Sequence, residues 1–213
     1  ILEQLFRTPY VHYENGFDIS PDGKKIAFSW NVSGEWEIFE IPMDGSGKPI
    51  CLTRGPGGKI APRYSPLGSR VAYAVDLNGS ESYHIWVIDL LTLEQRDLTP
   101  EAPDPIQPHY AWSPDGREIA FLTIESGSYG VNILSLDSPG WGVRQVSQFE
   151  QPPRDVSWSP SGEWLAVEEE TGGSDSSISL ISLKSGEKNR IALDGKVLNT
   201  KDAAWSPDGS ELA

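Results

Sequence analysis

Few residues in this sequence have the types and spacing that enzyme chemistry requires. A nucleophilic serine of the hydrolase kind sits in a Gly-x-Ser-x-Gly segment, which exposes its hydroxyl on a sharp turn between a strand and a helix. The sequence contains no such segment, and its near misses, Gly127-Ser-Tyr-Gly130 and Gly172-Gly-Ser-Asp-Ser176, fail the pattern. Glycine and serine in these stretches favour hairpin loops. We therefore predict no catalytic residue among the 213 residues.

Metal and phosphate sites are not predicted either. His12, His84 and His109 are far apart in the sequence, and none has a second ligand at a metal-binding spacing. Lys48 and Lys59 follow glycines, but neither stretch has the spacing of a phosphate-binding loop or the Ser or Thr that ends one. We predict no metal ion and no cofactor.

Two acidic segments are the remaining candidates for binding. Asp76-Leu-Asn-Gly-Ser80 partly matches a calcium-binding loop but lacks the bidentate Glu that closes such a loop, so we interpret it as a hairpin connection. Glu168-Glu-Glu170 follows the apolar run Leu165-Ala-Val167. Three carboxylates at a strand end are either a solvated strand terminus or a site for a cationic group, and the pattern leaves both interpretations open.

Charge and composition exclude several classes of function. The 17 Lys and Arg residues against 31 Asp and Glu give a net charge of −14, which repels a phosphate backbone, so no nucleic-acid partner is expected. Apolar runs such as residues 85–88 are far shorter than the roughly 18 residues of a membrane span, and no membrane association is predicted. The single Cys51 excludes an internal disulfide, which is typical of reducing compartments, and we expect a cytoplasmic protein.

One repeat of about 46 residues organises the chain. Its signature is a Ser-Pro-x-Gly turn, which recurs at residues 20–23, 65–68, 113–116, 159–162 and 206–209. The intervals are 45, 48, 46 and 47 residues. Proline presets the backbone of such a turn and glycine tolerates the left-handed conformation that closes it, so each turn is predicted to join two antiparallel strands.

Each repeat contains the pattern of four short strands. A strand of the Ile-Ala-Phe kind follows the turn, a loop rich in Gly and Ser comes next, and two further strands complete the unit. The third strands are predicted at 36–41, 83–90, 131–136 and 178–183, and the fourth strands end at 52–53, 98–99, 146–147 and 191–192. Tandem units of this length predict an all-β fold, a β-propeller of four-stranded antiparallel blades.

The repeat also sets the expected domain organisation. A β-sandwich is the main rival fold, but a sandwich has no reason to reuse one turn at a near-constant interval. Residues 17–213 are expected to hold about four and a half blades of a truncated ring, which would have seven or eight blades in the parent protein. Residues 1–16 are not a repeat and are expected to be a lead-in segment or a closing strand.

The order Leu-Thr, aromatic-Ser-Pro-Asp-Gly, Ile-Ala-Phe resembles the propeller repeat shared by the Tol-system periplasmic protein and the prolyl oligopeptidase family. The resemblance covers nearly the whole chain. The stretch from Asp76-Leu-Asn-Gly-Ser-Glu81 into Tyr83-His-Ile-Trp-Val-Ile-Asp-Leu90 is similar to the corresponding part of acylaminoacyl and dipeptidyl peptidases. In such peptidases the propeller caps an α/β-hydrolase domain, which the resemblance places after residue 213 of the same polypeptide.

The resemblance implies a propeller that limits access to short peptides and positions them for a serine peptidase. Since dipeptidyl peptidases hold the amino terminus of the substrate with paired propeller glutamates, it implies Glu168 and Glu169 as substrate-binding residues. Two alternatives stay open. One is a non-catalytic protein-binding propeller like the Tol-system protein. The other is a propeller polysaccharide lyase, which the scarcity of histidine disfavours.

Overall fold

The regular structure of the chain consists of short β-strands. The computed structural model describes residues 10–12, 16–100, 106–125, 128–137, 142–172, 175–193, 196–197 and 203–212. The strands are β1 Phe17–Ile19, β2 Lys25–Trp30, β3 Glu37–Pro42, β4 Ile50–Cys51, β5 Gly58–Tyr64, β6 Arg70–Asp76, β7 Tyr83–Asp89, β8 Gln95–Asp97, β9 Ile106–Trp112, β10 Glu118–Glu125, β11 Ser128–Ser135, β12 Val143–Phe149, β13 Pro153–Trp158, β14 Trp164–Gly172, β15 Asp175–Ser182, β16 Lys188–Arg190, β17 Ala192–Leu193 and β18 Lys196–Val197. They belong to two compact units, Ile1–Ala102 and Pro103–Ala213.

The first unit contains two sets of four strands, each of which we call a blade. Strands β1 to β4 pair antiparallel in chain order, and so do β5 to β8. The register repeats as well, because Ile26 lies opposite Ile41 in the first blade and Val71 lies opposite Ile88 in the second. The two blades share one apolar cluster, formed by Ala27, Ile38, Leu52, Tyr64, Val71, Tyr73, Val75 and Ile88.

The second unit repeats this arrangement. Strands β9 to β12 form the third blade and β13 to β16 the fourth, again antiparallel in chain order. Their shared cluster contains Ala120, Leu122, Val131, Ile133, Phe149, Val156, Trp158, Leu165, Val167 and Ile181. The Trp158 indole nitrogen also donates to the Ala111 carbonyl of the neighbouring blade at 3.1 Å. A hairpin of β17 and β18 follows, and a bridge between Trp205 and Leu212 marks the fifth copy of the turn.

One set of hydrogen bonds closes the turn in all five copies of the repeat. The Ser hydroxyl accepts the backbone N–H five residues later at 2.9–3.2 Å, from Lys25, Arg70, Glu118, Trp164 and Glu211. In three copies the hydroxyl also donates to the Asp of the turn at 2.6–2.7 Å. The hydrogen bond from this hydroxyl is the main reason that the pKa values of Asp22 and Asp115 are lowered. The same bond is the main cause that lowers the pKa of Asp208 to about 2. These carboxylates therefore stabilise the turn at pH values above their ordinary pKa. This stabilisation is lost as the pH falls through the lowered pKa values.

A second set of hydrogen bonds fixes the end of each blade in the first unit. The hydroxyl of the Leu-Thr motif accepts the N–H of the third strand at 2.9 Å, from Ile38 to Thr53 and from Ile85 to Thr99. Both threonines are buried. The recurring Leu-Thr dipeptide thus satisfies a buried backbone donor where the ladder of the short fourth strand ends.

The predicted all-β fold of four-stranded antiparallel blades is confirmed. Before β1, Val11 bridges Trp30, and the Ser29 N–H donates to the Gly16 carbonyl at 2.8 Å, so these residues lie along β2. Residues 1–9 and 13–15 of the lead-in segment lie outside the described residues, as do the near-miss residues Gly127, Gly173 and Ser174. No helix among the described residues is long and apolar enough to cross a membrane.

The turn hydroxyl is expected to contribute measurably to stability. Ser113→Ala leaves the part-buried N–H of Glu118 without its acceptor, so we expect a loss of about 1 kcal/mol in the free energy of unfolding and faster hydrogen exchange at Glu118. Urea unfolding and amide exchange measure the two effects. Ser69→Ala, at an exposed serine, is the matched control. Equal effects of the two substitutions would contradict the role of the hydroxyl.

Candidate functional site

A polar cleft of about 720 Å³ lies in the second unit. Its residues come from strand ends and connections of the third and fourth blades, namely Ser128, Gln148, Phe149, Glu150, Gln151, Glu169, Lys188 and Arg190. The volume is within the range of ligand pockets, roughly 300–1,000 Å³. The lining combines two cationic side chains, two carboxylates and two amides, so the cleft suits a polar ligand with both donors and acceptors.

The cleft begins where the apolar seam between the two blades ends. Leu165 and Val167 are fully buried in the shared cluster. Because side chains alternate along a strand, Glu169 lies on the same face of β14, two residues further along. The equivalent positions in the other repeats are Trp30, Val75 and Thr123, all ten residues after the turn serine. Glu169 therefore places a carboxylate where the other repeats have no charge.

Glu169 is buried and paired. Its side chain is 4% exposed, and its carboxylate accepts the Ser179 hydroxyl at 2.6 Å. The Arg190 guanidinium contacts both carboxylate oxygens, at 2.7 Å from Nη2 to Oε2 and 3.2 Å from Nε to Oε1. A buried carboxylate needs such partners, since an unpaired buried charge is costly. Arg190 is 43% exposed and faces solvent beyond this pair.

Lys188 is held on the same wall of the cleft. It lies two residues before Arg190 on β16, so the two side chains share one face of the strand. The Lys188 ammonium donates to the Gln148 carbonyl at 2.8 Å and lies 4.1 Å from the ring centre of Phe149. These contacts join the fourth strand of one blade to the fourth strand of the other.

The structure separates the two glutamates that the resemblance implied as substrate ligands. Glu168 and Glu169 are adjacent on β14, opposite Ile178 and Ser177, so their side chains point to opposite faces of the sheet. Glu170 pairs instead with Arg154 at 2.5 Å. The three acids are thus distributed over two faces and do not converge on one group. An amine-binding role for Glu168 or Glu169 stays a prediction.

Lys59, which follows glycines in the sequence, has a structural role in the first unit. Its side chain is 3% exposed, and its ammonium pairs with Glu37 at 3.0 Å. Glu37 also accepts the Thr53 hydroxyl at 2.6 Å, and Lys59 donates to the Gly55 carbonyl. The Lys59 ammonium is therefore occupied by protein groups.

The other polar candidates also serve local structure. The Asp76 carboxylate accepts the backbone N–H groups of Asn78, Ser80 and Glu81 at 3.1–3.2 Å, which closes the predicted hairpin loop. His84 pairs with Asp97 at 2.8 Å on neighbouring strands. Within the described ranges, no group of three His, Cys, Asp or Glu residues is arranged to hold a metal ion.

Sequence reasoning did not identify Lys188 and Arg190 as site residues. Both are charged residues on a short fourth strand, a pattern that normally indicates a solvated edge. The sequence did contain a signal for this site. Glu169 and Arg190 have opposite charges, and the equivalent positions of the other repeats hold other residues. Arg190 precedes Ile191, and the equivalent residues before the Leu-Thr motifs are Cys51 and Asp97.

The fold and the cleft define the class of protein, a β-propeller with a polar cleft between neighbouring blades. No family model matches the chain. The Tol-Pal system protein TolB of Sodalis glossinidius is 38% identical over 84 residues, which cover 39% of this chain and 19% of that protein. Dipeptidyl-peptidase 5 of Porphyromonas endodontalis is 28% identical over 114 residues, which cover 50% of this chain and 16% of that protein.

A solved structure shows the same fold. That of a putative TolB from Agrobacterium tumefaciens has a TM-score of 0.72 at 23% identity, over 92% of this chain and 71% of that chain. The resemblance stated from the sequence is confirmed, since the relatives include both a Tol-system protein and a dipeptidyl peptidase. The matched segments are only a fifth or less of the two relatives, so the chain corresponds to one part of each.

The ion pairs of Glu169 and Glu170 differ in burial, so replacing each glutamate by glutamine is expected to lower the free energy of unfolding by different amounts. Glu169→Gln keeps the Ser179 hydrogen bond but leaves Arg190 without its anion, so we expect a loss of about 1–2 kcal/mol in the free energy of unfolding. Glu170→Gln disrupts a pair whose glutamate is 35% exposed and should cost less than about 1 kcal/mol. Urea unfolding of both variants compares them directly, and a larger loss for Glu170→Gln would contradict the assignment.

Proposed function

We propose that this chain is the non-catalytic propeller of a serine peptidase that hydrolyses short peptides. In this role the propeller limits access to the catalytic centre and positions the peptide. An α/β-hydrolase domain of the same polypeptide supplies the nucleophile. The cleft of the second unit contributes to positioning, and the described residues of the chain contribute no catalytic group.

The cleft is the observation that carries this proposal. It offers charged and amide side chains on a wall fixed by hydrogen bonds, and a peptide backbone presents the matching donors and acceptors. The cleft lies in repeats of a type shared with a dipeptidyl peptidase. A propeller whose site has binding groups and no catalytic apparatus fits a domain that holds a substrate for chemistry done elsewhere.

A protein-binding propeller is the second candidate. The TolB relative supports it, because its identity to this chain is higher, 38% over 84 residues. In that case the polar cleft would hold a segment of a partner protein, and the polypeptide would contain no hydrolase domain. The two candidates differ in one property that is simple to measure, the presence of a reactive serine in the full polypeptide.

The full polypeptide is expected to react with a serine-directed fluorophosphonate and to cleave aminoacyl chromogenic substrates. It should cleave short peptides and leave intact folded proteins uncut, because the propeller limits access. Substrates with a free amino terminus and their acetylated equivalents serve as matched pairs, and the preference between them separates a dipeptidyl from an acylaminoacyl type. Pretreatment with the fluorophosphonate is the control for each cleavage.

Two results would count against the peptidase proposal. Absence of fluorophosphonate labelling in a correctly folded polypeptide would favour the protein-binding candidate. Efficient cleavage of large folded proteins would contradict the gating role even if the reactive serine were present.

A further inference from the structure

We infer that the cleft of the second unit binds a carboxylate group of its peptide through the Lys188 ammonium. This inference rests on the proposed function in one respect, since it takes the ligand to be a peptide. The carboxylate is either that of an acidic side chain or that of the carboxyl terminus. Both sources present the same planar anion to the same ammonium.

The Lys188 ammonium has donors available for an anion. An ammonium has three N–H donors, and one of them is used on the Gln148 carbonyl. The Phe149 ring attracts the cation without neutralising it. Among the described residues, Lys188 forms no ion pair with a carboxylate. Lys188 is exposed to solvent, so its two remaining donors are accessible to the anionic group of a ligand.

Glu169 neutralises Arg190, so Lys188 is the cation of this wall that has no carboxylate partner among the described residues. The guanidinium of Arg190 is paired with both oxygens of the buried Glu169. Glu150, the other carboxylate of the lining, is exposed to solvent and pairs with neither cation within the described ranges. The lining therefore presents the Lys188 ammonium, the neutral Arg190–Glu169 pair and the exposed carboxylate of Glu150.

The charge of the whole chain favours a single carboxylate over a polyanion. With a net charge of −14, the chain repels nucleic acids and acidic polysaccharides at long range. A peptide with one carboxylate experiences little of that repulsion, because its remaining groups are neutral amides. Gln148 and Gln151 line the same cleft and can hydrogen-bond those amides.

Calorimetric titration of the full polypeptide with four pentapeptides tests the inference. The probes are Ala-Ala-Glu-Ala-Ala and Ala-Ala-Gln-Ala-Ala, each with a free and an amidated carboxyl terminus. Prior treatment with a fluorophosphonate prevents consumption of the peptides. We expect at least one carboxylate-bearing peptide to bind about tenfold more tightly than the amidated Gln peptide, with the preference weakened by salt. The peptide that carries the preference identifies the source of the carboxylate.

Substitution of Lys188 provides the second arm. Lys188→Met keeps the unbranched stem and should abolish the preference, whereas Lys188→Arg keeps the charge and should retain most of it. Lys184→Met is the control, because Lys184 is an exposed lysine in the turn that precedes β16. Thermal melting of each variant establishes that the fold is intact.

The outcomes separate this inference from the proposed function. Equal binding of all four peptides, or a preference that survives Lys188→Met, overturns the inference and leaves the peptidase proposal standing if hydrolysis is observed. A preference that depends on Lys188 in a polypeptide without hydrolase activity supports the inference and overturns only the peptidase proposal.

Discussion

Every blade of this chain depends on one hydrogen bond, from a backbone N–H to the hydroxyl of the turn serine five residues earlier. It joins the first two strands at the same step in the four blades, and the fifth turn has the same bond. A slip of one residue would reverse the faces of the second strand, so this bond determines which side chains enter the seam between blades. The Leu-Thr hydroxyl does the same for the third strand in the first unit.

The cleft is a consequence of that register. In the fourth blade the seam face of β14 carries Leu165, Val167 and then Glu169, so the apolar contact ends at a carboxylate. Burial of that carboxylate requires a cation, and Arg190 on the outer strand provides it. Strand alternation then puts Lys188 on the same face. A single acidic residue at a seam position thus accounts for the neutral Arg190 pair that lies beside Lys188.

The sequence was sufficient to predict the blades, because the repeated turn and the apolar strand after it are local signals that recur five times. The candidate site was harder to predict from the sequence. The resemblance implied Glu168 and Glu169 as substrate-binding residues, and only the register of β14 shows that their side chains point to opposite faces of the sheet. Lys188 and Lys59 owe their roles to partners 40 and 22 residues away, Gln148 and Glu37. No spacing rule connects such pairs until the register of every strand between them is known.

The most direct test of this account is hydrogen–deuterium exchange of the full polypeptide with and without bound Ala-Ala-Glu-Ala-Ala. The account expects slower exchange on binding in the backbone of residues 148–151 and 188–190, with the turns at residues 159–162 and 184–186 unchanged. Protection elsewhere in the propeller, with no change at either segment of the cleft, would contradict it.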